Sequence, residues 1–117
     1  MRTSDTPLEP DLRKEIENLL PQLMADLRSA KDAETFLRSF LSEKEVEVFS
    51  KRLAIIYWLK KGKSYQQIKN DIKVSSATIA SVHDTLEKPG IELALKILEA
   101  NEWASRMSDR IKKIVGK

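Results

Sequence analysis

Apolar residues recur at three- and four-residue steps along most of the chain, the spacing that lines one face of an α-helix. From Asp11 to Ala30 the row is Leu12, Ile16, Leu19, Leu20, Leu23 and Leu27. A helix is predicted there, kinked or split at Pro21, which lacks a backbone donor and crowds the preceding turn. Asp32 is placed to cap a short helix carrying Phe36, Leu37, Phe40 and Leu41. Ser42 and Glu45, in "SEKE", have the spacing of a capping box and predict a longer helix that Gly62 ends. Pro89 and Gly90 interrupt the segment that follows, and Ile91 to Val115 resumes helical spacing through Leu95, Leu98, Met107, Ile111 and Ile114. No strand-like alternation of useful length appears. The expectation is an all-α protein of about six helices: a disordered N-terminal arm over residues 1–10, rich in Ser, Thr, Asp and Pro, then a single helical domain over residues 11–117.

One predicted helix departs from the amphipathic rule. "LAIIYWL", Leu53 to Leu59, is apolar on every side, and a helix of that kind must be covered all round. A small helical domain rarely has enough neighbouring elements for that, so a second copy of the chain is expected to help, most simply in a two-fold homodimer. The other reading of the same residues is a central core helix in a monomer.

The stretch "SYQQIKNDIKVSSATIASV", Ser64 to Val82, sets two short amphipathic patterns either side of a turn. Ser64 can cap the first, whose inward face is Tyr65, Ile68 and Ile72. Val74 plugs the turn, Ser75 or Ser76 caps the second, and Ile79, Val82 and Leu86 face inward. Ser76, Ala77, Thr78, Ala80 and Ser81 are then left along the outside. This is helix-turn-helix patterning, in which the second helix enters the DNA major groove leading with its N-terminal residues. Small hydroxyl and methyl groups suit that work, because Ser and Thr meet various base edges and Ala or the Thr methyl touches the thymine methyl. Lys69 stands where such motifs usually place alanine. Lys73 stands where the turn usually has glycine, and a positive φ at Lys73 would cost on the order of 1 kcal/mol. A plain helical hairpin is the alternative.

Charge strengthens the first reading. The 117 residues carry a net charge of only +3, but the middle of the chain, Val48 to His83, holds Lys51, Arg52, Lys60, Lys61, Lys63, Lys69 and Lys73 against the single carboxylate of Asp71. Such an imbalance at the motif suits a polyanion: Lys69 and Lys73, with Lys60, Lys61 and Lys63 at the approach, would meet phosphates. The remaining composition mainly excludes. There is no cysteine, hence neither disulfide framework nor thiolate metal site, and a reducing cytoplasm is the expected setting. The N-terminal "MRTSDTPLEP" has no apolar signal core, and no apolar run approaches the ~18 residues of a spanning helix. His83 is the only histidine; beside Asp84 it could suggest a dyad, but sequence neighbours on a helix point in different directions. The three glycines, Gly62, Gly90 and Gly116, form no phosphate loop, and no carboxylates cluster with His or Cys at metal-ligand spacing. Trp58 and Trp103 lie in apolar helical stripes and read as core or interface. Neither an enzyme nor a cofactor is expected.

The chain also resembles a known family. "LSEKEVEVFSKRLAIIYWLKKGKSYQQIKNDIKVSSATIASVHDTLEK", Leu41 to Lys88, is similar to the core of the Trp repressor family, and especially to its YerC/YecD-like branch. The similarity lies in the capping box, the arginine-bearing helix, the glycine before the motif, and "IKN" followed by "ATI". It extends more weakly back to Leu12 and forward to Leu98. The resemblance implies an all-helical, intertwined homodimer acting as a transcriptional repressor, with two reading heads on duplex DNA. It places DNA contacts at Gln66, Lys69, Ser76, Ala77, Thr78 and Ala80, to which the motif itself adds Lys73 and Ser75. Lys69, Ala77 and Thr78 keep the family's residue type, whereas Ala80 replaces a threonine and Gln66 an arginine, so the tryptophan operator is not the expected target.

The family's corepressor pocket would fall on Leu41, Ser42, Arg52, Ser81, Val82 and Thr85. Ser81 occupies the place of the arginine that holds the tryptophan carboxylate, and Val82 that of a glycine that makes room. A serine cannot give a guanidinium's bidentate grip, and an effector other than L-tryptophan, or none, is the expectation. Two functional readings stand open at this point: a homodimeric DNA-binding regulator, and a helical adaptor whose basic middle docks an acidic protein.

Overall fold

The computed structural model of the chain describes residues 4–115, with side chains through Trp103. Its element order is α1 (Pro10–Asp26), α2 (Ala30–Phe40), α3 (Glu43–Lys60), α4 (Tyr65–Ile68), a π-helical turn (Lys69–Lys73), α5 (Ser76–His83) and α6 (Pro89–Val115). Among the described residues there is no strand, and no helix is long and apolar enough to cross a membrane. Two compact units divide the chain within α3, one over residues 1–46 and one over residues 47–117.

In the first unit, α1 begins one residue earlier than the periodicity suggests. Glu9 caps it through both carboxylate oxygens, which accept from the Asp11 and Leu12 amides at 3.2 and 3.0 Å, and Pro10 occupies the first helical position, where a missing donor costs nothing. The helix is continuous through Pro21, which removes the split alternative. It ends at Asp26, short of Ala30, because Leu27 turns extended. The cap of α2 is Ser29 rather than Asp32: Ser29 Oγ accepts from the Asp32 amide at 3.0 Å, and Asp32 sits in the first turn, where its charge meets the positive end of the helix. The capping box is present as read. The Ser42 amide donates to Glu45 at 2.8 Å, and Ser42 Oγ accepts from the Glu45 amide at 3.1 Å. No side chain of α1 or α2 is buried, and Leu12, Ile16, Leu19, Leu20, Leu23, Met24 and Phe40 all stand exposed.

The core belongs to the second unit. Ile55 and Ile56 of α3, Ile68 of α4, Ile79 and Val82 of α5, and Leu95 of α6 form one buried cluster, with Trp58, Ile72, Val74 and Leu86 packed against it. The all-apolar segment of α3 is only half covered: Ile55 and Ile56 are buried, but Leu53 is 43% and the neighbouring Phe49 46% exposed. Trp58 joins the core, while Trp103 is 60% exposed and is no core residue of the single chain. The α3 C-terminus is closed by paired turns, the Lys63 amide to the Trp58 carbonyl at 3.1 Å and the Gly62 amide to the Leu59 carbonyl at 3.0 Å. Gly62, at φ +85°, supplies the left-handed residue that this Schellman geometry requires. At the other end of the unit, Glu102 of α6 takes the Tyr57 hydroxyl and the Lys61 ammonium, the latter at 2.6 Å, and so ties α6 to the last turns of α3.

Candidate nucleic-acid interface

The helix-turn-helix is built by two caps, four apolar plugs and one strained turn. Ser64 Oγ accepts from the Gln67 amide at 3.1 Å and starts α4. Ile68, wholly buried, anchors α4 against α5, and the chain then widens into a π-turn over Lys69–Lys73 that the sequence pattern did not indicate. The turn closes at Lys73, whose φ of +64° makes it the one non-glycine residue with positive φ among those described. Val74 follows in extended conformation and is half-buried. Ser75, not Ser76, is the cap of α5, accepting from the Thr78 amide at 3.1 Å. Ile79 and Val82 turn into the core beneath. Tyr65, read as inward, is 39% exposed and leans on His83, their ring centroids 6.3 Å apart; α4 has a single helical turn, and Ile68 alone fills the space below it.

The expected contact residues are all exposed: Ser75, Ser76, Ala77, Thr78, Ala80 and Ser81 along α5, with Gln66, Lys69 and Lys73 on α4 and the π-turn. Gln66 donates through Nε2 to Asn70 Oδ1 at 3.1 Å. The approach lysines are less available than the charge count implied. Lys61 is paired with Glu102 and lies 5.3 Å from the Tyr57 ring centroid, and Lys63 lies 5.6 Å from that of Trp58. Earlier on α3, Lys51 pairs with Glu47 at 3.3 Å. Lys60 stays exposed at the approach, Lys69 and Lys73 stand exposed within the motif, and Arg52 lines one depression with Ala77, Thr78 and Ser81 of α5.

Of the six candidate effector-pocket residues, four share one feature. Arg52, Ser81, Val82 and Thr85, together with Ala77 and Thr78, line an open depression of about 380 Å³. Its polar lining is one guanidinium and three hydroxyls, from Arg52, Thr78, Ser81 and Thr85. Thr85 Oγ1 donates to the Val82 carbonyl at 2.6 Å, and the Arg52 guanidinium lies 5.6 Å from the Phe49 ring centroid. The Val82 side chain is buried in the core. Leu41 and Ser42 lie in the first unit, where Ser42 is the cap of α3. No group of His, Asp and Glu able to hold a metal ion occurs among the described residues.

A buried hairpin seam, a capped second helix with small outward residues, and flanking lysines define a helix-turn-helix DNA-binding regulator. The sequence model of the Trp repressor protein family matches residues 15–100, most of the chain. The chain belongs to the Trp repressor family. Neither the curated proteins nor the solved structures contain a significant match to it.

Proposed function

We propose that the chain is a sequence-specific, double-stranded-DNA-binding transcriptional repressor of the YerC/YecD-like branch that works as a cytoplasmic homodimer without L-tryptophan as corepressor. The observation that carries the reading is the outer face of α5: five consecutive-face residues, Ser76, Ala77, Thr78, Ala80 and Ser81, exposed and small, on a helix held from below by Ile79 and Val82. Small side chains let the helix backbone sit deep in the major groove, so that Thr78 and Ser76 reach base edges and Ala77 and Ala80 meet methyl groups. Lys69 and Lys73 neutralise phosphates on either side and release condensed counterions, which supplies affinity without sequence preference. Gln66 and Ser75 complete the set of contacts.

Dimerisation is supported by what a single chain leaves uncovered. α1 and α2 have no buried residue although α1 carries six large apolar side chains, and Phe49 and Leu53 of α3 remain exposed. A second copy supplies apolar surface in equal measure by two-fold symmetry. The helices from α1 onward, with the Glu9 cap, then act as one DNA-binding domain completed by its partner, and the residues before Glu9 are an arm outside it. In this family reading the two α5 helices meet successive major grooves about 34 Å apart, the spacing of dimeric helix-turn-helix proteins generally, the Trp repressor among them.

Titration against random and genomic duplex fragments over a salt series tests the reading. Affinity is expected to fall log-linearly with salt while some fragments bind about a thousandfold tighter than the rest. Uniform weak binding to every fragment, with tight capture of acidic proteins instead, would mean that the basic middle is a protein-docking patch.

A further inference from the structure

The three threonine hydroxyls with recorded bonds are not used alike. Thr35 Oγ1 donates to the Lys31 carbonyl at 2.9 Å, and Thr85 Oγ1 to the Val82 carbonyl at 2.6 Å. A carbonyl can only accept, so the protons of those two hydroxyls are committed to the backbone. Thr78 differs. Its Oγ1 lies 2.9 Å from Ser75 Oγ, a hydroxyl that can donate or accept. Ser75 Oγ also accepts from the Thr78 amide at 3.1 Å. Both residues are exposed, and Thr78 stands on the outward face of α5.

We infer that Ser75 is a positioning residue that sets the hydrogen-bond polarity of Thr78, and through it the base that Thr78 reads. The inference rests on the proposed reading of DNA by α5. Ser75 Oγ has accepted the Thr78 amide proton, and a hydroxyl that accepts a hydrogen bond becomes a stronger donor. Its own proton is therefore directed to Thr78 Oγ1, completing a chain from amide to Ser75 to Thr78. Thr78 keeps its own proton and one lone pair, and because its oxygen already accepts from Ser75 it is a better donor than acceptor outward. In the major groove guanine presents only acceptors, O6 and N7, whereas cytosine presents only the N4 amino donor. Ser75 thus biases Thr78 toward guanine over cytosine on the contacted strand, although the remaining lone pair can still accept from the cytosine amino group. Without Ser75, Thr78 could rotate and serve either base equally.

The test measures the guanine-to-cytosine binding ratio at each position of a selected operator, a quantity insensitive to overall affinity. Thr78→Val identifies the contacted position as the one whose ratio collapses. At that position the intact protein is expected to favour guanine by about fivefold to tenfold, the value of one hydrogen bond. Ser75→Asp keeps an equally good helix cap but can only accept; it takes the Thr78 proton, turns Thr78 into an acceptor and should invert the ratio toward cytosine. Ser75→Asn caps through its carbonyl, donates through its amide and should keep guanine preferred. Melting curves for all variants verify folding. A collapse in Thr78→Val with no inversion in folded Ser75→Asp overturns the inference while leaving the reading of α5 intact. No change at any position in Thr78→Val overturns both, as does the absence of sequence-selective binding by the unmodified chain.

Discussion

Replacing Lys73 by glycine should make the protein more stable and a poorer DNA binder at once. Lys73 holds φ at +64° where the π-turn meets Val74. A side chain with a Cβ pays about 1 to 2 kcal/mol there. Glycine removes that cost but adds backbone freedom to the unfolded chain, worth about 0.5 to 1 kcal/mol in the opposite direction. The net expectation is a gain between about 0 and 1.5 kcal/mol, centred on ~0.75 kcal/mol or ~3 °C in melting temperature for a domain of this size. The same change removes a cation from beside α5. If Lys73 neutralises one phosphate, the slope of log affinity against log salt should fall by about 0.9. Lys73→Ala separates the two effects, because it keeps the Cβ and loses the charge: no gain in stability, the same loss of slope. Urea denaturation at fixed protein concentration reads the first quantity, and fluorescence anisotropy over a salt series the second. A Lys73→Gly variant that melts below the parent protein would refute the strain argument. An unchanged slope in both variants would remove Lys73 from the DNA interface.

Four further outcomes are expected. Thr78→Val, near isosteric and exposed, should leave melting within ~0.5 kcal/mol of the parent while shifting base preference at one operator position, whereas Lys69→Ala should weaken all sequences alike and lower the salt slope by about one; identical profiles for the two would show that α5 is not the reader. Light scattering across micromolar concentrations should return twice the mass of the chain, and a monomer mass throughout would count decisively against the homodimer. Ile68→Ala should cost about 2 to 5 kcal/mol, because Ile68 is wholly buried at the seam of α4 and α5; a cost under ~1 kcal/mol by urea denaturation would show that the seam is not packed as described. Tryptophan at sub-millimolar concentration should neither raise the melting temperature nor tighten DNA binding, since a missing bidentate anchor at Ser81 and the added bulk of Val82 together cost about 2.5 to 6 kcal/mol; micromolar affinity by calorimetry would return the protein to the tryptophan-dependent repressors.

Helix existence was legible because period and caps agree locally. The "SEKE" box, Gly62, Ser64 and the paired serines each act within four residues, a range that a linear pattern contains. The failures are of two kinds. Where two capping groups compete within a few residues, pattern alone does not choose: Ser29 took the cap that Asp32 could have held, since Leu27 had already turned extended. Where the deciding partner is distant, pattern contains no signal at all. Glu102 lies 45 residues from Tyr57, and its hold on Lys61 withdraws a lysine that charge counting had assigned to the approach.

The π-turn belongs to neither kind, and its cause is physical. Lys69 and Lys73 both break the usual choice of residue for a helix-turn-helix, and they are the first and last residues of the π-turn. A left-handed Lys73 lets the chain reverse without glycine. Ile68 and Ile79, both wholly buried on either side, over-determine the geometry and can hold a turn that costs about 1 to 2 kcal/mol. Local rules are commonly broken where a site requires it. Here the strained residue, Lys73, sets a cation two positions before the Ser75 cap of α5, at a place where the proposed function calls for a phosphate contact.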